Sequence, residues 1–155
     1  MISFVFLAYN QEKRIPQCIL DLFKCAAQYP GLSEIIVVDD GSTDCTYEVA
    51  WAAVEMSRRI CPRVGGRVVR HSASLGKAEA IRTGANKAIG SLISVIDADS
   101  FQETVAKVSE LLTEGLQPSE YIIYLLNRGK SKPLAIGFYK ADMLRKIINF
   151  SCLHA

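Results

Sequence analysis

Several large functional classes are excluded by what this sequence does not contain. No apolar run approaches the roughly 18–20 residues needed to cross a bilayer, so the chain is expected to be soluble. Charge of one sign is not in excess. Its 18 basic and 16 acidic residues leave a formal net charge of +2, which gives no bulk attraction for nucleic acid. The two histidines, His71 and His154, have no partner at metal-ligand spacing and receive no role. Five cysteines (Cys18, Cys25, Cys45, Cys61, Cys152) form no CxxC pair, and their number is odd. Met1–Leu7 lacks the basic start and small-residue exit of a signal peptide, so the cysteines read as reduced, mostly buried thiols of a cytoplasmic protein. Neither a GxxxxGK[ST] loop nor a GxSxG elbow is present, and there is no internal repeat or low-complexity stretch. At 155 residues, half of them hydrophobic, a single compact domain is expected.

What the sequence does have is a regular alternation of apolar runs and helical spacing. Ile2–Leu7 (ISFVFL) reads as a strand buried on both faces. Ile15, Ile19, Leu22, Phe23 and Ala26 then recur at helical spacing, with Pro16 tolerable only in the first turn. Glu34–Val38 is a second strand, followed by a helix that Thr43 or Asp44 can cap and whose Tyr47, Ala50, Trp51 and Val54 share a face. Arg67–Arg70 gives a third strand, and Ala78, Ile81, Ala85 and Ile89 a third helix. Leu92–Ile96 is a fourth strand, and Val105, Val108, Leu111 and Leu112 mark the next helix. Tyr121–Leu126 and Ala135–Tyr139 are further strands, with a last helix through Met143, Leu144, Ile147 and Ile148. This pattern implies an α/β fold with a doubly wound, mostly parallel sheet and helices on both faces.

Ligands of such sheets bind at the carboxyl ends of strands, near the point where strand order reverses. Three strand exits here are polar: Ala8–Glu12, Asp39–Ser42 and Asp97–Asp99. Asp97 and Asp99, one residue apart, can turn toward a common centre and offer hard oxygens to Mg²⁺ or Mn²⁺, with open positions for a diphosphate. Alternatively, one caps the next helix and the other is solvated. Asp39-Asp40 could accept a nucleobase N–H or a ribose hydroxyl, or could form an Asx turn in the Gly41-Ser42-Thr43 loop. Tyr9 could stack on a base or pack half-buried. Ser74-Leu75-Gly76-Lys77 opens a helix and could hold phosphate, with Lys77 and Arg82 otherwise solvated. The arginines from Arg58 to Arg70 could meet an anionic membrane surface or form a solvated connector.

Four stretches, SFVFLAYNQE (Ser3–Glu12), EIIVVDDGSTDCT (Glu34–Thr46), SLGKAEAIRTGANKAIG (Ser74–Gly90) and SVIDADS (Ser94–Ser100), occur in an order that resembles family 2 glycosyltransferases of the GT-A fold. The likeness is closest to the polyprenyl- and dolichyl-phosphate mannose and glucose synthases. It implies that Ala8, Tyr9, Gln11, Val38 and Asp40 surround the nucleoside. It also implies that Asp97, Ala98 and Asp99 serve the metal and diphosphate, and that Arg128 lies near the phosphates, with Lys77 at the helix start. The donor would be a UDP- or GDP-linked sugar, the cofactor Mg²⁺ or Mn²⁺, and the outcome at the sugar carbon inversion.

The most serious departures from that family are on the acceptor side, but others occur nearer the donor. Leu7 replaces a proline, Gln11 a glutamate with Glu12 one place later, and Phe101 a glutamine with Gln102 following. Residues 1–100 are expected to form the nucleotide-sugar half and residues 101–155 a shortened acceptor half. Within the latter, Gly137-Phe138 matches the family, but Lys132 stands in place of an aspartate. Transfer to a sugar hydroxyl needs a general base, and no carboxylate here matches one. A lipid monophosphate is largely ionised at neutral pH and removes that need. Arg128, Lys130 and Lys132 would then form a basic mouth for the acceptor at the cytoplasmic membrane surface. The alternative is a non-catalytic nucleotide-sugar-binding module or subunit. A homo-oligomer seamed along Tyr121–Leu126 could supply missing acceptor surface.

Overall fold

The computed structural model describes residues 1–114 and 138–146 in full, and the backbone of residues 123–126 and 134–137. In chain order the elements are β1 (Ile2–Ala8), α1 (Ile15–Ala26), β2 (Ser33–Asp39), α2 (Thr46–Ile60), β3 (Val64–Arg70), α3 (Lys77–Lys87) and β4 (Leu92–Asp97). A single 3-10 turn (Ala98–Ser100) leads into α4 (Phe101–Thr113), followed by β5 (Ile123–Leu126), β6 (Leu134–Gly137) and β7 (Tyr139–Lys140). Residues 141–146 are helical. The expected last helix extended to Ile147 and Ile148, which lie outside the described residues, as do Tyr121, Cys152 and His154.

Five strands form one sheet in the order β3-β2-β1-β4-β7. The first four are parallel, and β7 joins antiparallel at the edge beside β4. The chain winds outward from β1 to β3 and then crosses back to β4, so strand order reverses between β1 and β4. β5 and β6 form a separate antiparallel pair. The mostly parallel α/β architecture expected from the sequence is the one observed.

β1 and β2 are buried at every position, which explains why their sequences are apolar runs rather than alternating ones. Phe4, Phe6, Ile35 and Val37 face α1, α2 and α4 on one side, while Val5, Leu7, Ile36 and Val38 face α3 and the 141–146 helix on the other. Each fully buried phenylalanine contributes about 2–3 kcal/mol of apolar transfer. Pro16 sits in the first turn of α1, where its missing N–H costs nothing. Gly84 lets α3 lie against the sheet, because a Cβ there would come within 2.1 Å of a Val5 methyl.

Five details differ from the sequence reading. β3 begins at Val64, three residues earlier than expected. The strand expected over Ala135–Tyr139 is split into β6 and β7 at Phe138, whose buried ring packs edge-on against Phe4 with centroids 6.1 Å apart. Trp51 does not share the buried face of Ala50 and Val54, being 56% exposed. Nor does Ile89 pack with Ala85, because α3 ends at Lys87 and leaves it in solvent. Thr43 and Asp44 are not the N-cap of α2 either, since that position is Cys45. Asp44 still serves the helix start, accepting the Thr46 N–H at 2.9 Å.

Candidate functional site

Parallel register brings the strand exits level with one another. Leu7 of β1 stands beside Val38 of β2 and Asp97 of β4, and the Asp40 N–H continues the ladder to the Ala8 carbonyl at 2.9 Å. A cleft of about 430 Å³ opens at this edge, lined by Leu7, Ala8, Tyr9, Gln11, Asp40, Ser74, Lys77, Ala80, Asp97, Ala98 and Asp99. Of the residues singled out from the sequence, Ala8, Tyr9, Gln11, Asp40, Lys77, Asp97, Ala98 and Asp99 therefore share one cavity. Val38 does not line it, because its side chain is fully buried under α3. Arg128 lies outside the described residues, together with Lys130 and Lys132.

The exits of β1 and β2 are stapled together. Asn10 takes a positive φ of 49°, a conformation that asparagine tolerates better than most residues. Its N–H donates to Ser42 Oγ at 2.9 Å, and its Oδ1 accepts the Thr43 N–H at 2.9 Å. Tyr9 is left 47% exposed on the cleft wall, with its face available for stacking. Glu12 turns away from the cleft toward the start of α2, where its carboxylate accepts the Cys45 N–H at 3.0 Å. That leaves Gln11 as the polar side chain of this loop on the cleft.

The two adjacent aspartates after β2 divide their work. Asp39 is fully buried and builds the turn, its Oδ1 accepting the Ser42 N–H at 3.1 Å and the Ser42 hydroxyl. The Arg70 guanidinium approaches its other oxygen at 3.4 Å. Asp40 points to the cleft side and accepts four donors. Its Oδ1 receives His71 Nδ1 at 2.7 Å and the Leu75 N–H at 2.9 Å. Its Oδ2 receives the Ser74 hydroxyl at 2.8 Å and the Gly76 N–H at 3.0 Å. Burial pushes this carboxyl up, but the hydrogen bonds from Leu75, His71, Ser74 and Gly76 outweigh it and hold the group below its ordinary value. Gly41, at φ +68°, lets the following loop close over Asp40, because a Cβ there would meet the Ala73 backbone at 2.4 Å.

The exit of β4 is built differently. Asp97 Oδ1 accepts the Asp99 N–H at 3.2 Å, and its Oδ2 meets Lys77 Nζ at 2.5 Å. Lys77 thus spends its charge on Asp97 rather than standing free at the helix start. Asp99 is exposed on the 3-10 turn. The turn is anchored from beneath by Phe101, a buried core residue whose ring centroid lies 5.3 Å from that of Phe6. Among the described residues, no group of three or more His, Cys, Asp or Glu side chains is placed to hold a metal ion. Two carboxylates on one short turn nonetheless suit Mg²⁺ or Mn²⁺, hard ions that keep most of their shell for water and phosphate oxygens.

His71 is the site residue that the sequence reading missed. It is buried and joins Asp40 to Thr83 of α3, with Nε2 2.8 Å from Thr83 Oγ1. The signal was its position one residue past β3, a fourth polar strand exit that parallel pairing sets beside Asp40.

Comparison with known proteins gives this geometry a family. The model of glycosyl transferase family 2 matches residues 3–141. A dolichyl-phosphate beta-glucosyltransferase (ALG5D) of Trichomonas vaginalis is 33% identical over 141 residues, covering 88% of this chain and 38% of that protein. The human dolichyl-phosphate beta-glucosyltransferase is 36% identical over 106 residues, covering 63% of this chain and 31% of that protein. The chain thus spans about a third of the length of these relatives. Among solved structures, residues 1–349 of S. aureus TarS superpose with a TM-score of 0.61 at 19% identity, over 94% of this chain and 48% of that one. At that identity the likeness concerns the fold, a GT-A glycosyltransferase architecture. With a family match over most of its residues and a cleft where the strands of that fold end, the chain belongs to glycosyl transferase family 2.

Proposed function

We propose that residues 1–100 bind a UDP- or GDP-linked sugar and that the chain transfers the sugar to a polyprenyl phosphate, with inversion and with Mg²⁺ or Mn²⁺. Residues 101–155 contribute the acceptor side. One observation carries this reading: Tyr9, Gln11, Asp40, Asp97 and Asp99, drawn from three strand exits, line a single cleft. The names of the sequence relatives, dolichyl-phosphate glucosyltransferases, support the acceptor class.

The chain's own groups divide the donor between them. Tyr9 offers an aromatic face to the base, and Asp40 offers a carboxylate to its N–H groups. Gln11 reaches the ribose. Asp97 and Asp99 would hold the divalent ion, whose chemistry is to neutralise charge on the departing nucleoside diphosphate. Lys77, already within the cleft, adds a positive charge on the same side. The acceptor phosphate is largely ionised at pH 7, its second pKa lying near ~6, so its oxygen attacks without a protein base. Among the described residues no helix is long and apolar enough to cross a membrane. A lipid acceptor would therefore be met by peripheral contact of this part of the chain, with Arg128, Lys130 and Lys132 as the basic mouth.

The test begins with calorimetry of UDP and GDP binding, with and without Mn²⁺, followed by sugar transfer to a polyprenyl phosphate. Metal-dependent binding and turnover that Asp99→Ala abolishes are expected. Equal turnover in both proteins rejects the assignment. Metal-dependent binding without turnover marks the chain as a nucleotide-sugar-binding module.

A further inference from the structure

We propose that His71 is a positioning residue for nucleotide recognition, holding the Asp40 carboxylate from beneath through a Thr83–His71–Asp40 relay. The proposal rests on the reading of the cleft as a nucleotide site. An ionised carboxylate has about four lone-pair sites, and in this structure four donors occupy them: His71, Leu75, Ser74 and Gly76. A nucleobase N–H can therefore reach Asp40 only by displacing one of these donors.

The four are not equivalent. Ser74, Leu75 and Gly76 lie on the exposed loop before α3, where water can satisfy whatever the base displaces. His71 is buried, and its second nitrogen is engaged by Thr83. Removing its hydrogen bond would strand a ring N–H away from water, a cost that the loop donors do not incur. The base thus takes the place of loop donors while His71 stays, and the orientation of Asp40 is kept through the exchange.

The same geometry fixes the ring's tautomer. Asp40 is acceptor-only, so Nδ1 must carry the proton; in the neutral ring Nε2 then accepts from the Thr83 hydroxyl. Free imidazole side chains favour the opposite tautomer, which makes the arrangement observable. It is also imitable, because an asparagine amide nitrogen can stand where Nδ1 does.

Nitrogen-15 spectra of the ring and nucleoside-diphosphate titrations of the wild type, His71→Asn and His71→Phe test the relay. A protonated Nδ1 with bare Nε2 is expected in the wild type. His71→Phe should weaken binding roughly tenfold to a hundredfold, the range for losing a hydrogen bond to a charged group. His71→Asn should recover most of the loss, with the effect falling on the donor KM rather than on kcat. Thermal unfolding of each variant shows that a loss of binding is not a loss of fold. A ring with no proton on Nδ1, or a folded His71→Phe that binds like the wild type, overturns the proposal alone. A wild type that binds no nucleoside diphosphate overturns the functional reading and this role with it.

Discussion

Two acidic strand exits, one after β2 and one after β4, stand on the same edge of one sheet and are built in opposite ways. At the first, every acceptor site of Asp40 is used by the protein, and Asp39 is sealed into the turn below. At the second, Asp97 has one lysine and one backbone donor, and Asp99 projects from a short turn into the cleft. The difference teaches that a carboxylate's chemistry is set by how many of its lone pairs the fold leaves open. A saturated carboxylate is a fixed recognition surface that trades donors one for one. An open pair is suited to an ion that brings its own remaining ligands.

The largest effect that would expose this contrast is on transfer. Asp99→Ala should lower kcat about 10³-fold, several kcal/mol of charge stabilisation, while leaving the melting temperature nearly unchanged, as kinetics and calorimetry on one preparation would show. Asp40→Asn should do the reverse in kind. Placing an amide N–H₂ against two donors should cost about 1–3 kcal/mol of stability in denaturant unfolding and weaken nucleotide binding together with it. If Asp99→Ala destabilises the fold and Asp40→Asn does not, the contrast is broken.

Acid unfolding sharpens it further. The Asp40 carboxyl lies below its ordinary value in the folded chain. Its contribution to stability is therefore complete above the unfolded carboxylate value, about pH 4, and is lost as the pH falls through the lowered folded value. A pH series of unfolding free energies should show a shallower acid limb in Asp40→Asn than in the wild type. The smallest effect concerns regions away from both exits. Cys45, exposed at the start of α2, should react first with a thiol reagent among the cysteines of the described residues. Cys25, buried and pushed up to about 11, and Cys18, also raised by burial, should react only on unfolding.

Much of this was legible before any tertiary contact was known. β1, β2 and β4 were readable because a strand covered on both faces must be apolar throughout, and α1 because its buried positions keep strict helical spacing. What escaped was decided by neighbours. Trp51 lies next to a buried stripe and yet faces solvent, because among the described residues no element packs over that flank. The neighbouring carboxylates of Asp39 and Asp40 could not be told apart by residue type. One serves the turn and the other the cleft because alternate residues leaving a strand point to opposite sides.

The order of strands and helices, the polar character of the strand exits and the likeness to a glycosyltransferase family were determined by the sequence itself, since burial periodicity and motif spacing are properties of the chain. The tertiary structure alone decided that His71 belongs to Asp40, that Lys77 belongs to Asp97, and that Val38 belongs to the core. Those pairings depend on parallel register and helix placement, which bring together residues such as Asp40 and His71 that lie 31 positions apart. No local pattern encodes a contact whose two halves belong to different elements or the exits that follow them.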